Sequence, residues 1–193
     1  MRVLRSCLLA LAGSMLLVGA TGAQASVQST VSALPTVSAA IAGSIAVSVN
    51  AGTLQSLGSV SDNVANSFPS PVNISLTWDL HPSTGAVQVI GYFSDPGAAM
   101  ISGPVSIPSS WLMGRVRTAG VQDAPTAFTA FTQNAVGGAG MAGGSLSLAT
   151  QRILGNTKTG TLTFDLELQL DLTGRVLTPG AYSGILNIRA VTQ

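Results

Sequence analysis

The sequence predicts an all-β protein folded as a single antiparallel β-sandwich. The strongest observation is the run Thr161–Leu172, in which large apolar residues alternate without a break with polar ones. Such alternation places the apolar side chains on one face of a strand, whereas a helix would spread them around its surface. No helical period of useful length follows residue 25, and several alternating segments are separated by turn residues. This combination is typical of a sandwich whose sheets each have one buried and one solvated face.

The first 25 residues indicate a secretory signal helix that precedes the sandwich. Met1–Arg5 carries two arginines and no acid, Leu8–Val18 is a short apolar run, and Ala23 and Ala25 are the small residues of a cleavage site. We expect cleavage before Ser26; an uncleaved N-terminal anchor is the alternative. Export would place the mature protein in the periplasm, on the outer cell surface or outside the cell, with no membrane span after signal cleavage.

Cleavage changes the charge and the cysteine content of the chain. Eight basic and seven acidic residues give a formal net charge of +1, and loss of Arg2 and Arg5 leaves six basic residues and a net charge of −1. Cys7 is the single cysteine, so the mature chain depends on its core rather than on disulfides. No Lys/Arg cluster remains for phosphates, and nucleic acid is not an expected partner. Charged residues make up only 8% of the chain, and a surface so poor in charge tends to associate.

The sandwich domain is expected over residues 41–193, after an extended or flexible lead-in over residues 26–40. Alternation of apolar and small polar residues begins at Ile41–Asn50 and is clear in Val72–Leu80. Ala86–Phe93 follows after a turn of five residues. We therefore expect these last two strands to pair as a β-hairpin.

The signals between and after these strands are weaker. Residues 51–71 are rich in Ser, Gly, Asn and Pro and predict a loop with at most one short strand. The glycine-rich run 135–145 lacks the Lys-Ser/Thr of a phosphate loop and predicts a flexible surface loop. The other segments expected to be strands are Met100–Ile101, Val105–Ile107, Leu112–Val116, the stretch 125–134, a strand beginning at Leu146, and Ser183–Val191.

Residues able to carry catalysis are scarce, and we expect no enzyme activity, cofactor or metal site. The one histidine, His81, stands in a turn before Pro82, and a hydrolase built on it is the least favoured alternative. Zinc needs three or four ligands, which one histidine cannot seed. Asp165, Glu167 and Asp171 share the outward face of one strand. We interpret them as a solvated face that opposes edge pairing rather than as a calcium site, because calcium is usually wrapped by a loop.

Four aromatic residues, Trp78, Tyr92, Trp111 and Tyr182, could supply a platform for stacking on a sugar. Trp78 alternates with core residues, so we interpret it as structural. Tyr182 precedes the last strand, where a tyrosine can brace the corner of a sandwich, and Gly180 belongs to the turn before it. Trp111 is therefore the candidate ligand-contact residue.

The C-terminal part of the chain resembles a class of exported bacterial β-sandwiches. Pro179–Ile188, PGAYSGILNI, is similar to the ending PAGTYSGTLTI of chaperone-usher pilin subunits and of the spore-coat-U-like fimbrial family, and DLELQLDLTGRVLTPG fits their penultimate strand and connection. The resemblance implies an immunoglobulin-like, pilin-like sandwich that assembles by strand addition, in which the N-terminal segment of one subunit completes the next subunit's sheet. The chain departs from this pattern by having no cysteine after residue 25 and Thr192 in place of an aromatic.

These observations predict an exported, non-enzymatic structural or adhesive protein of the bacterial cell envelope or surface, fimbrial-like in architecture. The expected partner is a further copy or an envelope component, joined through β-strand addition. The alternative is an extracytoplasmic module that binds a glycan or another envelope component. In the last strand we expect Leu186, Ile188 and Ala190 to face the core, with Asn187 and Arg189 facing outwards.

Overall fold

The computed structural model describes the backbone of residues 24–33 and the chain from residue 43 to residue 193. These residues form an all-β structure of two sheets, so the predicted fold class is confirmed at the level of a β-sandwich. None of their helices is long and apolar enough to cross a membrane. The predicted signal helix, including Ala23, lies outside the described residues, as do residues 34–42.

The described residues form thirteen strands and two single-turn 3-10 helices. The strands are β1 (Gln24–Ala33), β2 (Ser44–Ala51), β3 (Leu54–Ser59), β4 (Ala65–Ser67), β5 (Val72–Asp79), β6 (Ala86–Tyr92), β7 (Met100–Ser102), β8 (Val105–Ile107), β9 (Leu112–Val116), β10 (Thr129–Ala130), β11 (Ser145–Arg152), β12 (Thr159–Asp171) and β13 (Ala181–Thr192). The 3-10 helices are Pro82–Thr84 and Ser109–Trp111.

The strands divide between two sheets. Sheet A has the order β11-β6-β13-β1-β3, with the β7–β8 pair attached to β13. Sheet B has the order β10-β9-β12-β5-β2, with β4 beside β12. The pairs are antiparallel except for β1 and β13, which run parallel.

Alternation along β5 and β12 builds one side of the core. Val72, Ile74 and Leu76 of β5 are fully buried, and so are Phe164 and Leu166 of β12, while the residues between them stay at least partly exposed. Each such side chain contributes about 1.5–3 kcal/mol by leaving water. The predicted strand pattern is therefore confirmed in both segments.

The predicted hairpin between Val72–Leu80 and Ala86–Phe93 is wrong. The first segment is β5 of sheet B, which pairs with β2 and β12, whereas the second is β6 of sheet A, which pairs with β11 and β13. The connection crosses between the sheets through the 3-10 turn Pro82–Thr84 and Gly85, whose φ of +85° favours glycine. A hairpin and a connection between two sheets have the same local sequence pattern, because both need only a turn between two strands that each have an apolar face.

The first part of the predicted lead-in is extended. Residues 24–33 form β1, which lies between β13 and β3 in sheet A. Its parallel register with β13 runs from Gln24 opposite Ala181 to Ala33 opposite Ala190. The expected cleavage site before Ser26 therefore falls inside a strand, close to its start.

The weaker strand predictions hold in part. β7, β8, β9 and β11 lie where strands are expected. Residues 51–71 contain two strands, β3 and β4, rather than at most one. The stretch 125–134 contributes only the two residues of β10, because the rest of it follows turns and irregular backbone.

The glycine-rich run 135–145 packs on the outer face of sheet A. Val136 and Ala139 exchange two backbone hydrogen bonds of 2.8 Å, which close a tight turn. Ala139 is fully buried with Ile90 and Val191 in a small apolar cluster. The run thus covers apolar side chains, a role that its interpretation as a flexible loop did not include.

Candidate functional site

Trp111, the predicted ligand contact, ends a 3-10 turn and is half-buried against the core. The guanidinium carbon of Arg175 lies 4.7 Å from the centre of its ring. Arg175 is held there because it donates a hydrogen bond of 2.8 Å to the carbonyl oxygen of Asp171, whose carboxylate lies 3.8 Å away. A cation–π pair contributes about 0.5–2 kcal/mol. A sugar that stacked on this face of Trp111 would first have to displace Arg175.

Trp78 lies in the core. Its side chain is 6% exposed, and its indole N–H donates a hydrogen bond of 2.8 Å to the carbonyl oxygen of Thr157. Gly160 faces it on β12, where a Cβ would stand 2.6 Å from the indole Cζ2. The ring is enclosed and its polar atom has a partner, so Trp78 supports the packing of the two sheets.

Tyr182 anchors the start of β13. Its ring is buried, and its hydroxyl donates a hydrogen bond of 2.9 Å to the carbonyl oxygen of Thr178. A tyrosine that binds backbone a few residues upstream is a known brace at sandwich corners. Burial raises the pKa of the Tyr182 hydroxyl above its ordinary value, which keeps the donor proton in place. Gly180 approaches the neighbouring hairpin closely, since a Cβ there would stand 2.5 Å from the Oγ of Ser102.

The carboxylates on the outer face of β12 are bound by side chains of the same chain. Asp165 accepts a hydrogen bond of 2.7 Å from the amide of Asn73. Glu167 accepts one of 2.6 Å from Arg115 and one of 3.0 Å from Arg117. The hydrogen bond from Arg115, more than the other contacts, holds the pKa of Glu167 below its ordinary value of 4.5. These contacts tie β12 to its neighbours across the face of sheet B.

Replacing Glu167 with Gln should flatten the dependence of stability on acid pH. A carboxyl whose folded pKa is lowered contributes stability above its unfolded pKa, and the contribution is lost as the pH falls through the folded pKa. We expect the wild type to lose up to about 1 kcal/mol more than the variant as the pH falls below about 5. Urea unfolding at a series of pH values measures this difference.

A variant of Arg115, the hydrogen-bond donor to Glu167, supplies the control for the urea measurement. Replacing Arg115 with Met removes the largest cause of the lowered pKa of Glu167 and should flatten the curve in the same direction. Parallel curves for the wild type and the Glu167→Gln variant would contradict the assignment.

His81 is exposed at the crossing between the two sheets. Its backbone carbonyl oxygen accepts a hydrogen bond of 2.9 Å from the N–H of Thr84, which closes the turn. Within the described part of the chain no group of three or more His, Cys, Asp or Glu side chains is placed to hold a metal ion. His81 is therefore not a member of such a group there.

An apolar groove on sheet A brings together residues that are far apart in the sequence. Leu54, Ile101 and Ile185, from β3, β7 and β13, are between 49% and 73% exposed. With the buried ring of Phe93 they line a cavity of about 490 Å³. Leu54 and Ile185 both lie opposite Gln28 of β1 in the strand register, so the groove spans the N-terminal strand. Sequence reasoning missed this site, although the outward position of Ile185 in the last strand was a signal for it.

Comparison with protein-family models and with curated proteins finds no match for the chain. The pilin-like assembly that the resemblance of Pro179–Ile188 implies therefore stays a prediction. The structural features that suggest a function are the placement of β1 beside β13 and the groove that spans them.

Proposed function

We propose that the protein is an exported, non-enzymatic structural or adhesive protein of the bacterial cell envelope or surface, with an immunoglobulin-like, fimbrial-like architecture. The observation that carries the proposal is the position of β1. This strand fills the space between β13 and β3 and runs parallel to β13. A second copy can supply a strand of this kind, because the strand can make the same backbone hydrogen bonds to another subunit as it makes within its own.

The surface of the sandwich favours such assembly. On one part of the outer face of sheet B, between β5 and β12, hydroxyl pairs take the place of charges, with Ser75 and Thr163 at 3.2 Å and Thr77 and Thr161 at 3.4 Å. On sheet A the exposed surface includes the apolar groove around Ile185. Copies of such a surface meet with little electrostatic repulsion, because few like charges are brought together.

A disulfide formed between copies tests whether β1 is exchanged. Gln28 and Ile185 are register partners, and aligned strand neighbours lie within the distance that a disulfide bridges. The chain has no cysteine after Cys7, so introduced cysteines have no competitor in the mature protein. We expect Gln28→Cys and Ile185→Cys chains with different tags, co-expressed and exported, to form a covalent heterodimer.

Two further variants decide how that result is read. In the control pair the second cysteine is placed at Leu154, which is exposed in a distant loop, instead of at Ile185. The Leu154→Cys chain should not cross-link with the Gln28→Cys chain. The double variant Gln28→Cys/Ile185→Cys reports the pairing within one chain. If the double variant closes its internal disulfide while the co-expressed single variants never cross-link, strand exchange is refuted.

A further inference from the structure

β2 differs from the outermost strands at the other sheet edges among the described residues. β10, at the opposite edge of sheet B, has only two residues. β11 in sheet A is covered by backbone bridges from Gln122 and Gln133. β3 is interrupted by a bulge, since Ser56 and Gly58 pair with consecutive residues of β1. Shortening, covering and bulging protect edges, because unpaired backbone groups otherwise bind other strands.

β2 has such a protection only near its end, where its register with β5 shifts between Val49 and Ala51. Ser44–Val49 pairs with β5 in unbroken register, and the other side of β2 has no strand partner among the described residues. The sequence of the strand, SIAVSVNA, contains no charged residue and no proline. Ile45 and Val47 are buried, whereas the outward residues, Ala46 and Ser48 among them, are exposed. Among the described residues, Ser44–Val49 is therefore a regular, neutral edge with no strand on its outer side.

Sheet A extends beyond this edge. β2 packs across the sandwich against β1 and β13, whereas β3 lies one strand further out in sheet A. A strand added to β2 would lie beneath β3, where Leu57 is only partly buried. Such a strand would gain an apolar contact as well as backbone hydrogen bonds.

We propose that β2 is a homodimer interface, at which the β2 edges of two copies pair antiparallel and join their B sheets into one continuous sheet. A two-fold axis brings the same edge of both copies together in antiparallel orientation, which makes the contact self-complementary. The neutral sequence favours a second copy as the partner, because self-pairing of a charged strand would place like charges opposite each other. Rows of small polar residues, such as Ser48, Ser75 and Thr163, would continue across the junction.

The test introduces a charge at the edge and compares it with the same charge in the middle of the sheet. Ala46, Thr77 and Thr161 are aligned in one row of sheet B, with Ala46 on the edge strand β2 and the exposed Thr77 on β5, which is paired on both sides at this row. We expect sedimentation equilibrium of the exported protein to show a dimer. The Ala46→Lys variant should have a dissociation constant raised at least tenfold, and the Thr77→Lys variant should be unchanged. Thermal melting of each variant verifies that it folds.

Hydrogen exchange of the β2 amides shows whether this edge pairs with a second copy. If β2 pairs with a second copy, its amides should become protected as the protein concentration rises through the dissociation constant. A monomer at all concentrations, or protection of β2 that is independent of concentration, would overturn the proposal. So would a dimer that withstands Ala46→Lys. Because β1 lies in the other sheet, the trans disulfide between positions 28 and 185 should persist in Ala46→Lys if both proposals hold.

Discussion

Removal of Leu186–Gln193 is expected to abolish cooperative folding. β13 lies between β6 and β1 in sheet A, and its inward residues Leu186, Ile188 and Ala190 are fully buried. Leu186 and Ile188 each contribute roughly 1.5–3 kcal/mol through burial, against a net stability of about 5–15 kcal/mol. The deletion also removes all the register partners of β6 in β13 and half of those of β1. Thermal melting followed by circular dichroism measures the outcome, and we expect no cooperative transition.

Two point variants test the same strand without shortening the chain. Leu186→Ser should lower the free energy of unfolding by about 2–5 kcal/mol, because the side chain leaves a cavity in the core. Ile185→Ser, on the neighbouring residue, should have little effect, because Ile185 is 49% exposed on the opposite face. A deletion variant that melted cooperatively near the parent temperature would show that β13 does not hold the sandwich together.

The second large effect is expected at Gly184, in the same strand. A Cβ at this position would overlap the carbonyl oxygen of Ala99 and would stand 2.9 Å from the Cγ of Met100. The first obstacle is backbone and cannot move aside as the end of a side chain can. We expect Gly184→Ala to lower the free energy of unfolding by about 3 kcal/mol and the melting temperature by about 5–10 °C.

Gly155 supplies the matched glycine for this measurement. A Cβ at Gly155 would have no heavy atom within 4 Å, so Gly155→Ala should leave the melting temperature close to that of the wild type. Both variants are compared by differential scanning calorimetry. Equal melting temperatures for the two variants would mean that β7 does not approach β13 as closely as described.

The alternation of apolar and polar residues was sufficient to locate the main strands and their buried faces. In β12 and just after it, the residues predicted to face inwards from Phe164 to Leu172 are all buried. In β13, Leu186, Ile188 and Ala190 are buried as expected, and Arg189 lies on the outer side of the strand. Alternation works here because side chains of a strand point to opposite faces in turn, so a buried face leaves a period of two.

The candidate site could not be predicted in the same way. Trp111 is recognisable as an aromatic residue in an irregular segment, but its stacking partner Arg175 lies far along the chain. The groove likewise joins Leu54, Ile101 and Ile185 from three separate strands. Contacts of this kind depend on which strands become neighbours, and a single sequence contains no local signal for that choice.

The amino-acid sequence by itself determined the all-β class, the inward faces of β5, β12 and β13, and the low content of charged residues. The tertiary structure alone decided that β5 and β6 belong to opposite sheets, that β1 lies parallel to β13, and that β2 remains at an edge. The physical reason is that burial of one face is a local requirement, which each strand satisfies through its own residues. The pairing of strands is a global choice, set by the packing of two whole sheets against each other.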